Sequence, residues 1–401
     1  MRLTRIGGAL LILLGLVVNW WTLETFVVPD GSIGSTMRLA VVTAQLALIS
    51  LGIWLLIKAP RIAMPSAANC IVLMASTMVG LGMAEMALRL IQPNQTPHPP
   101  AYVGQFENRP SRNFEIDVHT GWRMRKNREF QWRIEGHLNT YRSNGQGFRS
   151  NRDFDHSSKA LIAITGDSMT WGTGVDYGET FGDLLELQVA ESQVFNFAMP
   201  GFGLDQMWMS VRHQILPLKP ALITVAFVDE DLNRSLTAYR TVEGFNKPRF
   251  VADFFGNLRP QTSADIPNSL ILKIQSGSRL WKAASQPVRR LRPFSEWWTL
   301  NTAILEAIAS DCERQQVPLL FVRLPARPLE RFASLDRFFQ RNGFEFLNLG
   351  TPEIPDGLHF EKDGHINAKG HQFAAAKIAE WMEKRLPQMV RAEANRLEQT
   401  R

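Results

Sequence analysis

The segment Ala160-Leu161-Ile162-Ala163-Ile164-Thr165-Gly166-Asp167-Ser168-Met169-Thr170-Trp171-Gly172 decides how the chain is read. Residues 160–165 form an apolar run of strand length, too short for a helix. Ser168 follows directly on that strand and precedes a helix. Working outward, short apolar runs recur at 193–198, 221–227, 318–323 and 345–349. Helical periodicity occupies 181–192, 204–216, 299–316, 329–341 and 368–386. Buried apolar strands alternating with helices predict a parallel sheet covered on both faces. Ligands of such a sheet sit beyond the carboxyl ends of its strands, so Ser168 opens onto the site crevice.

A serine hydroxyl is a weak nucleophile until a base takes its proton and dipoles stabilise the oxyanion. The run Asp363-Gly364-His365-Ile366-Asn367-Ala368-Lys369-Gly370-His371 follows the last predicted strand, so its loop returns to the sheet edge that carries Ser168. His365 is the candidate base and Asp363 the carboxylate that holds its imidazole in the required tautomer. Asp356-Gly357-Leu358-His359 has an Asp-x-x-His spacing of its own, which keeps His359 open as the alternative base. His371 reads as a helix-start or core histidine, and Asn196 as a brace for the loop after the second strand. His98, His119, His137, His156 and His213 fall in no recognisable pattern.

The run Gly166-Asp167-Ser168-Met169-Thr170-Trp171-Gly172-Thr173-Gly174-Val175, with Glu179-Thr180 after it, resembles the first block of the SGNH/GDSL hydrolase superfamily. Asn196-Phe197-Ala198-Met199-Pro200-Gly201 resembles its second block, and Asp363-Gly364-His365 with Asn367…Gly370-His371 its last. Upstream, Thr140-Tyr141-Arg142-Ser143-Asn144-Gly145-Gln146-Gly147-Phe148-Arg149 is similar to a segment that precedes the hydrolase domain in membrane-anchored, envelope-facing members. The resemblance covers about residues 160–386. It implies a three-layer flavodoxin-like sandwich around a central parallel sheet, with Ser168 as nucleophile and His365 as base. The backbone N–H groups of Ser168 and Gly201 would donate to the oxyanion. The Gly-x-Ser-x-Gly elbow of the α/β-hydrolases is absent. One block departs from the pattern. Where the family has Gly-x-Asn-Asp, this chain has Val228-Asp229-Glu230-Asp231, so Glu230 takes the slot of the amide that serves as third donor. Three readings stay open: a Glu230 protonated by burial between Asp229 and Asp231, a Glu230 turned away, or an inactive domain.

Among the 401 residues, 45% are hydrophobic and 20% charged, an ordinary balance, but the first 91 are far more apolar than the rest. Apolar runs at 6–29, 39–57 and 67–91 are each long enough to cross a bilayer as a helix. The first lacks a small-x-small cleavage site near Trp20-Trp21, so an uncleaved helix is expected rather than a signal peptide. Arg2 and Arg5 precede it and Lys58 and Arg61 separate the other two, which places the N-terminus in the cytoplasm of a multi-pass inner-membrane protein and everything after about residue 92 outside. Glu85 and Arg89 read as a snorkelling ion pair at the exit of the third run. The expected organisation is a three-helix anchor over 1–91, a linker and strand-rich lead-in over 92–157, and a hydrolase-like domain over 158–390. An insertion above the sheet spans 232–296, and a polar tail covers 391–401.

The net charge of +6 comes from scattered basic residues without a nucleic-acid motif, so nucleic acid is not an expected partner. Cys70 and Cys312 read as separate apolar residues, neither with a histidine at zinc-ligand spacing, and no metal or cofactor is expected. The partners expected are the lipid bilayer and an acylated substrate. The resemblance to envelope-facing relatives implies a serine esterase or O-acyltransferase expected to work through an acyl-enzyme on an O-acetylated cell-envelope glycan. A transferase would need an acyl-transporting membrane protein beside it, since three helices are too few to carry an acyl donor across. Two alternatives remain. One is a lipid esterase or thioesterase with a pocket lined by Phe254, Phe255, Trp281 and Trp297, aromatics that equally suit core packing. The other is a catalytically weak glycan-binding or assembly module that has kept the fold.

Overall fold

A computed structural model describes residues 2–28, 31–58, 66–91, 113–154, 160–189, 192–240, 245–253, 255–261, 278–281, 283, 293–325, 333–351 and 355–399. The linker that opens the 92–157 segment, through residue 112, and with it Asp30, Arg61, His98, His156, Phe254 and the side chain of Cys70, lie outside the described residues. The chain divides into two compact units. One comprises Met1–Asn108, Ala238–Gly244 and Ala264–Glu296; the other comprises Arg109–Thr237, Phe245–Ser263 and Trp297–Arg401. The 232–296 segment is therefore shared between them.

The first unit holds α1 (Arg2–Val17), α2 (Ser35–Lys58) and α3 (Ala67–Ile91). α2 and α3 are long and apolar enough to cross a membrane. The single helix expected over 6–29 is instead broken: after Val17 the chain bends by 56° into a shorter stretch, Trp20–Val27, and the two make a third candidate span only as a bent pair. Asn19 is the cause. Its Oδ1 accepts from Thr22 N at 3.0 Å while its Nδ2 donates to Leu16 O at 3.0 Å, ending one helix and capping the next. α1 and α2 approach closely enough that a Cβ on Gly8 would stand 2.7 Å from Gly52 O. On α3 the Glu85–Arg89 pair forms at 2.8 Å. Glu85 does more than the sequence suggested: it also accepts from the Ser278 hydroxyl at 3.0 Å and from the N–H groups of Arg279 and Leu280 at 3.1 and 2.8 Å.

The second unit begins with two antiparallel hairpins, β1 (Phe114–Asp117) with β2 (Gly121–Met124) and β3 (Glu129–Ile134) with β4 (His137–Arg142). Then follow β5 (Ala160–Gly166), α4 (Ser168–Trp171), α5 (Phe181–Gln188), β6 (Ser192–Asn196), α6 (Leu204–Ser210), β7 (Leu222–Phe227) and α7 (Asp229–Arg234). A further hairpin, β8 (Arg249–Ala252) with β9 (Leu258–Gln261), precedes α8 (Phe294–Arg314), β10 (Leu319–Arg323), α9 (Ala333–Asn342), β11 (Phe346–Asn348) and α10 (Ala368–Gln399). The helix expected over 204–216 shortens because the chain passes into a π turn at Val211–Ile215. α10 runs on to Gln399, so the polar segment from 391 continues a helix rather than trailing as a tail.

Five parallel strands make the main sheet in the order β6-β5-β7-β10-β11. In sequence that is 2-1-3-4-5, the flavodoxin-like order, whose switch point lies beside the first strand. β5 and β7 are buried on both faces, which accounts for their continuous apolar runs. Ile162, Ile164, Leu320 and Val322 meet Phe181, Leu185, Ala374 and Ile378 of α5 and α10 in one core layer. Phe321 and Phe227 meet Phe339 of α9, with ring centroids 5.2 and 6.3 Å apart.

Candidate active site

The nucleophile position is set by the turn after β5. Asp167 caps α4, its Oδ1 accepting from Met169 N at 2.9 Å, and α4 stops after one turn because Gly172 takes a left-handed conformation (φ 91°). A Cβ on Gly172 would come 2.5 Å from Nη1 of Arg149, so the position requires glycine on two counts. Ser168 thus begins a helix at the switch point of the sheet.

The last loop brings the candidate base. His365 Nε2 lies 2.8 Å from Ser168 Oγ, and its Nδ1 is paired with Asp363 Oδ1. His359, the alternative base, instead meets Pro325 O through Nε2 at 2.9 Å. The structure therefore brings together Ser168, His365 and Asp363 and leaves His359 with a backbone carbonyl. His371 is fully buried, accepting from Phe181 N at Nδ1 (3.1 Å), and burial lowers it to about 3, aided by Arg149 and His365.

The two backbone N–H groups expected to receive the oxyanion are those of Ser168 and Gly201. Among the described residues, neither the Ser168 N–H nor the Gly201 N–H has an acceptor in the protein. Asn196 secures the loop between them: its Nδ2 donates to Thr170 O at 2.8 Å and its Oδ1 accepts from Ala198 N at 3.0 Å. Glu230 is exposed and accepts from the Asn233 side chain at 3.1 Å, so it is not the buried residue of this stretch. Its two neighbours are the buried ones. Asp229 takes a two-pronged ion pair from Arg323 at 2.7 and 2.6 Å. Asp231 pairs with Arg234, whose Nη1 also reaches Asp167 Oδ2 at 2.9 Å and Phe202 O at 3.2 Å. Burial and the adjacent Asp167 carboxylate push Asp231 well above the usual carboxylate range, with Arg234 pulling against them. For Arg234 itself burial pulls down, but Asp231 and Asp167 outweigh it and hold the guanidinium charged. Asp167 Oδ2 is in turn 3.4 Å from Ser168 Oγ, which places this cation one carboxylate behind the nucleophile.

The lead-in hairpins reach both catalytic loops. Arg149 is buried and donates to the carbonyls of Trp171 (2.7 Å), Gly172 (2.5 Å) and Val175 (2.6 Å), with its guanidinium 4.7 Å from the Tyr141 ring centroid. Tyr141 OH accepts from Gly174 N at 2.8 Å. Glu135 accepts from the backbone of residues 361–363. Sequence reading picked out Tyr141 and Arg149 only as parts of a motif and missed Glu135 and Arg234, whose contacts with residues 361–363 and with Asp167 span 226 and 67 residues or more.

Of the insertion aromatics, Trp297 is buried in the core, whereas Phe255 is 84% exposed. Trp281, in the first unit, donates to Val27 O at 3.1 Å. Burial pushes the Cys312 thiol up to about 12. No group of three potential metal ligands occurs among the described residues.

No family model matches the chain, and no curated protein matches it. Solved structures to which it is similar include TesA (12% identity over 56% of this chain and 98% of that one, TM-score 0.37). Others are the psychrotrophic esterase EstA from Pseudoalteromonas sp. (11%, 57% and 100%, 0.35) and the lipase/acylhydrolase from Enterococcus faecalis (15%, 56% and 96%, 0.33). Likeness at that level has no bearing on chemistry or substrate, and the fold rests on the strand order itself. With that order, and with the three sequence blocks at the ends of β5 and β6 and on the loop before α10, the unit that carries the site has the fold of the SGNH/GDSL hydrolases.

Proposed function

We propose that this protein is a membrane-anchored serine esterase or O-acyltransferase that works through an acyl-enzyme on an extracytoplasmic ester, foremost an O-acetylated cell-envelope glycan. The observation that carries the chemistry is the continuous relay from Ser168 Oγ through His365 to Asp363. As Oγ attacks the ester carbonyl carbon, His365 Nε2 takes its proton and the C=O electron pair moves onto oxygen. The N–H groups of Ser168 and Gly201 receive that oxyanion; a donor of this kind contributes roughly 10²–10³ in rate. Collapse expels the alcohol, which leaves with the proton from Nε2. Water or a sugar hydroxyl then gives a proton to Nε2 and attacks the acyl carbon, releasing Ser168. The acceptor alone separates hydrolase from transferase. The glycan rests on the resemblance to envelope-facing members, and the basic flanks, which favour an outer position for the domain, support it. A transferase would take its acyl group from a partner membrane protein.

A fluorophosphonate probe tests the nucleophile directly. The full-length protein is expected to label at Ser168, and Ser168→Ala and His365→Ala each to lose labelling and ester cleavage while keeping the fold. If the wild type stays unlabelled beside a serine hydrolase that labels, the non-catalytic assembly reading takes over. Full activity in His365→Ala with loss in His359→Ala would move the base. Acetate released from an O-acetylated glycan supports the glycan reading; cleavage of long-chain esters alone supports the lipid esterase.

A further inference from the structure

Glu135 stands at the tip of the β3–β4 hairpin, where it adopts a positive φ of 44° ahead of Gly136. From there its carboxylate reaches a loop 226–228 residues further along the chain. Oε2 accepts from Glu361 N at 3.3 Å, and Oε1 accepts from Lys362 N at 2.5 Å and Asp363 N at 2.6 Å. Three successive N–H groups turned toward one point form a concavity suited to an anion, and here a side chain from a separate hairpin fills it. The third of those N–H groups belongs to Asp363, whose own carboxylate holds His365 Nδ1.

The other ties of the loop lie at its two ends, where Asn367 Nδ2 donates to Gly357 O and His359 O at 2.9 and 3.0 Å and Ile366 N donates to Met169 Sδ at 3.3 Å. Residues 361–364 are exposed, so apolar burial does not hold them. Within the loop Phe360 N donates to His365 O at 2.9 Å and Gly364 N donates to Phe360 O at 3.2 Å, which closes the turn on itself. Phe360 meets the same hairpin, with its ring 6.5 Å from that of His137. The base is thus carried by an exposed turn whose backbone is clasped from outside by one carboxylate.

The geometry points to Glu135 as a positioning residue for the reaction proposed above: by filling the N–H concavity of residues 361–363 it holds Asp363 and His365 in line with Ser168. The inference rests on the serine-enzyme reading. It gives the β3–β4 hairpin a part in turnover as well as in the fold. A misplacement of about 1 Å at a catalytic group costs on the order of 10²-fold in rate.

The test uses the full-length protein in detergent with an aryl acetate as substrate. Glu135→Ala is expected to lower kcat by roughly 10–100-fold with KM little changed. Glu135→Gln keeps an oxygen able to accept from Lys362 and Asp363, so it should recover most of the lost rate. Fluorophosphonate labelling should slow in the same order, with unfolding midpoints close to wild type. A Glu135→Ala enzyme that turns over at wild-type speed overturns the proposal. So does an equal loss in both variants that tracks a lowered unfolding midpoint, which is the signature of a merely structural contact. A wild type that neither labels nor cleaves removes the serine-enzyme reading itself, whereas an active wild type beside an unimpaired Glu135→Ala removes only the positioning role.

Discussion

His371 illustrates how a single residue can be placed by sequence and still have its chemistry set by packing. In the last sequence block it stands near His365, yet it is fully buried with Nδ1 accepting from Phe181 N, which requires the neutral ring. Burial lowers it to about 3 from the ordinary 6.5, so between those values the unfolded chain binds a proton that the native one refuses. Stability from this group is therefore complete above about pH 6.5 and is lost as pH falls toward 3, at up to about 1.4 kcal/mol per pH unit. His371→Gln, which keeps an acceptor for Phe181 N, should flatten the fall of urea midpoints between pH 6.5 and 4. An unchanged slope would show that other groups dominate acid sensitivity. At this scale the grouping of Ser168, Asp363 and His365 was legible because local motifs sit at strand ends, and the relay distances follow from that placement. The slot of Glu230 was legible too, but not that its side chain turns out to Asn233 while its neighbours pair inward. A sequence shows which residue fills a helix position; the face that position presents depends on what packs beside it.

Between elements, the decisive contacts are those the lead-in makes with the loop after α4. Arg149 is separated from its three carbonyl acceptors by 22, 23 and 26 residues, and burial depresses its pKa while Tyr141 offsets part of that effect. Removing it takes the guanidinium donor from the Trp171 and Val175 carbonyls and leaves Gly172 O only Val175 N at 3.4 Å; a buried carbonyl left without a donor costs roughly 1–3 kcal/mol. Arg149→Met should therefore lower stability by about 3 kcal/mol or more, read from urea unfolding, and slow fluorophosphonate labelling as the Gly172–Val175 loop loosens. Arg149→Lys should rescue little, because one ammonium cannot reach acceptors spread as a guanidinium fork reaches them. Wild-type stability in the Lys variant would sink this account of the fork. The strands and helices of the sheet were legible from apolar runs and their spacing. The break at Asn19 was not, since hydropathy averages over a side chain that ends one helix and caps the next. Nor was the grip of Glu85 on residues 278–280, for an i,i+4 partner was in plain view and the longer-range donors were not.

For the molecule as a whole, the side of the membrane on which the site works depends on what the bent pair does. α1, at 16 residues, is about 24 Å long, short of a hydrocarbon core of ~30 Å. Bent by 56°, the Trp20–Val27 stretch adds about 7 Å along the same axis, enough to complete a crossing. Glu24 within it is buried and paired with Arg38 at 2.6 Å, so the segment between α1 and α2 presents a neutralised pair rather than a free basic residue. The basic flanks left are Arg2 and Arg5 before α1, and Lys58 and Arg61 between α2 and α3. Only three crossings put both flanks in one compartment; a re-entrant first pair would separate them, against the positive-inside tendency. Paired reporter fusions decide the matter: alkaline phosphatase should be active at the C-terminus and inactive at the N-terminus, with green fluorescence giving the reverse. Both ends reporting from one compartment would make the first pair re-entrant. If that compartment were the cytoplasm, an extracytoplasmic glycan could not be the substrate, and the same serine chemistry would have to act on an ester inside the cell.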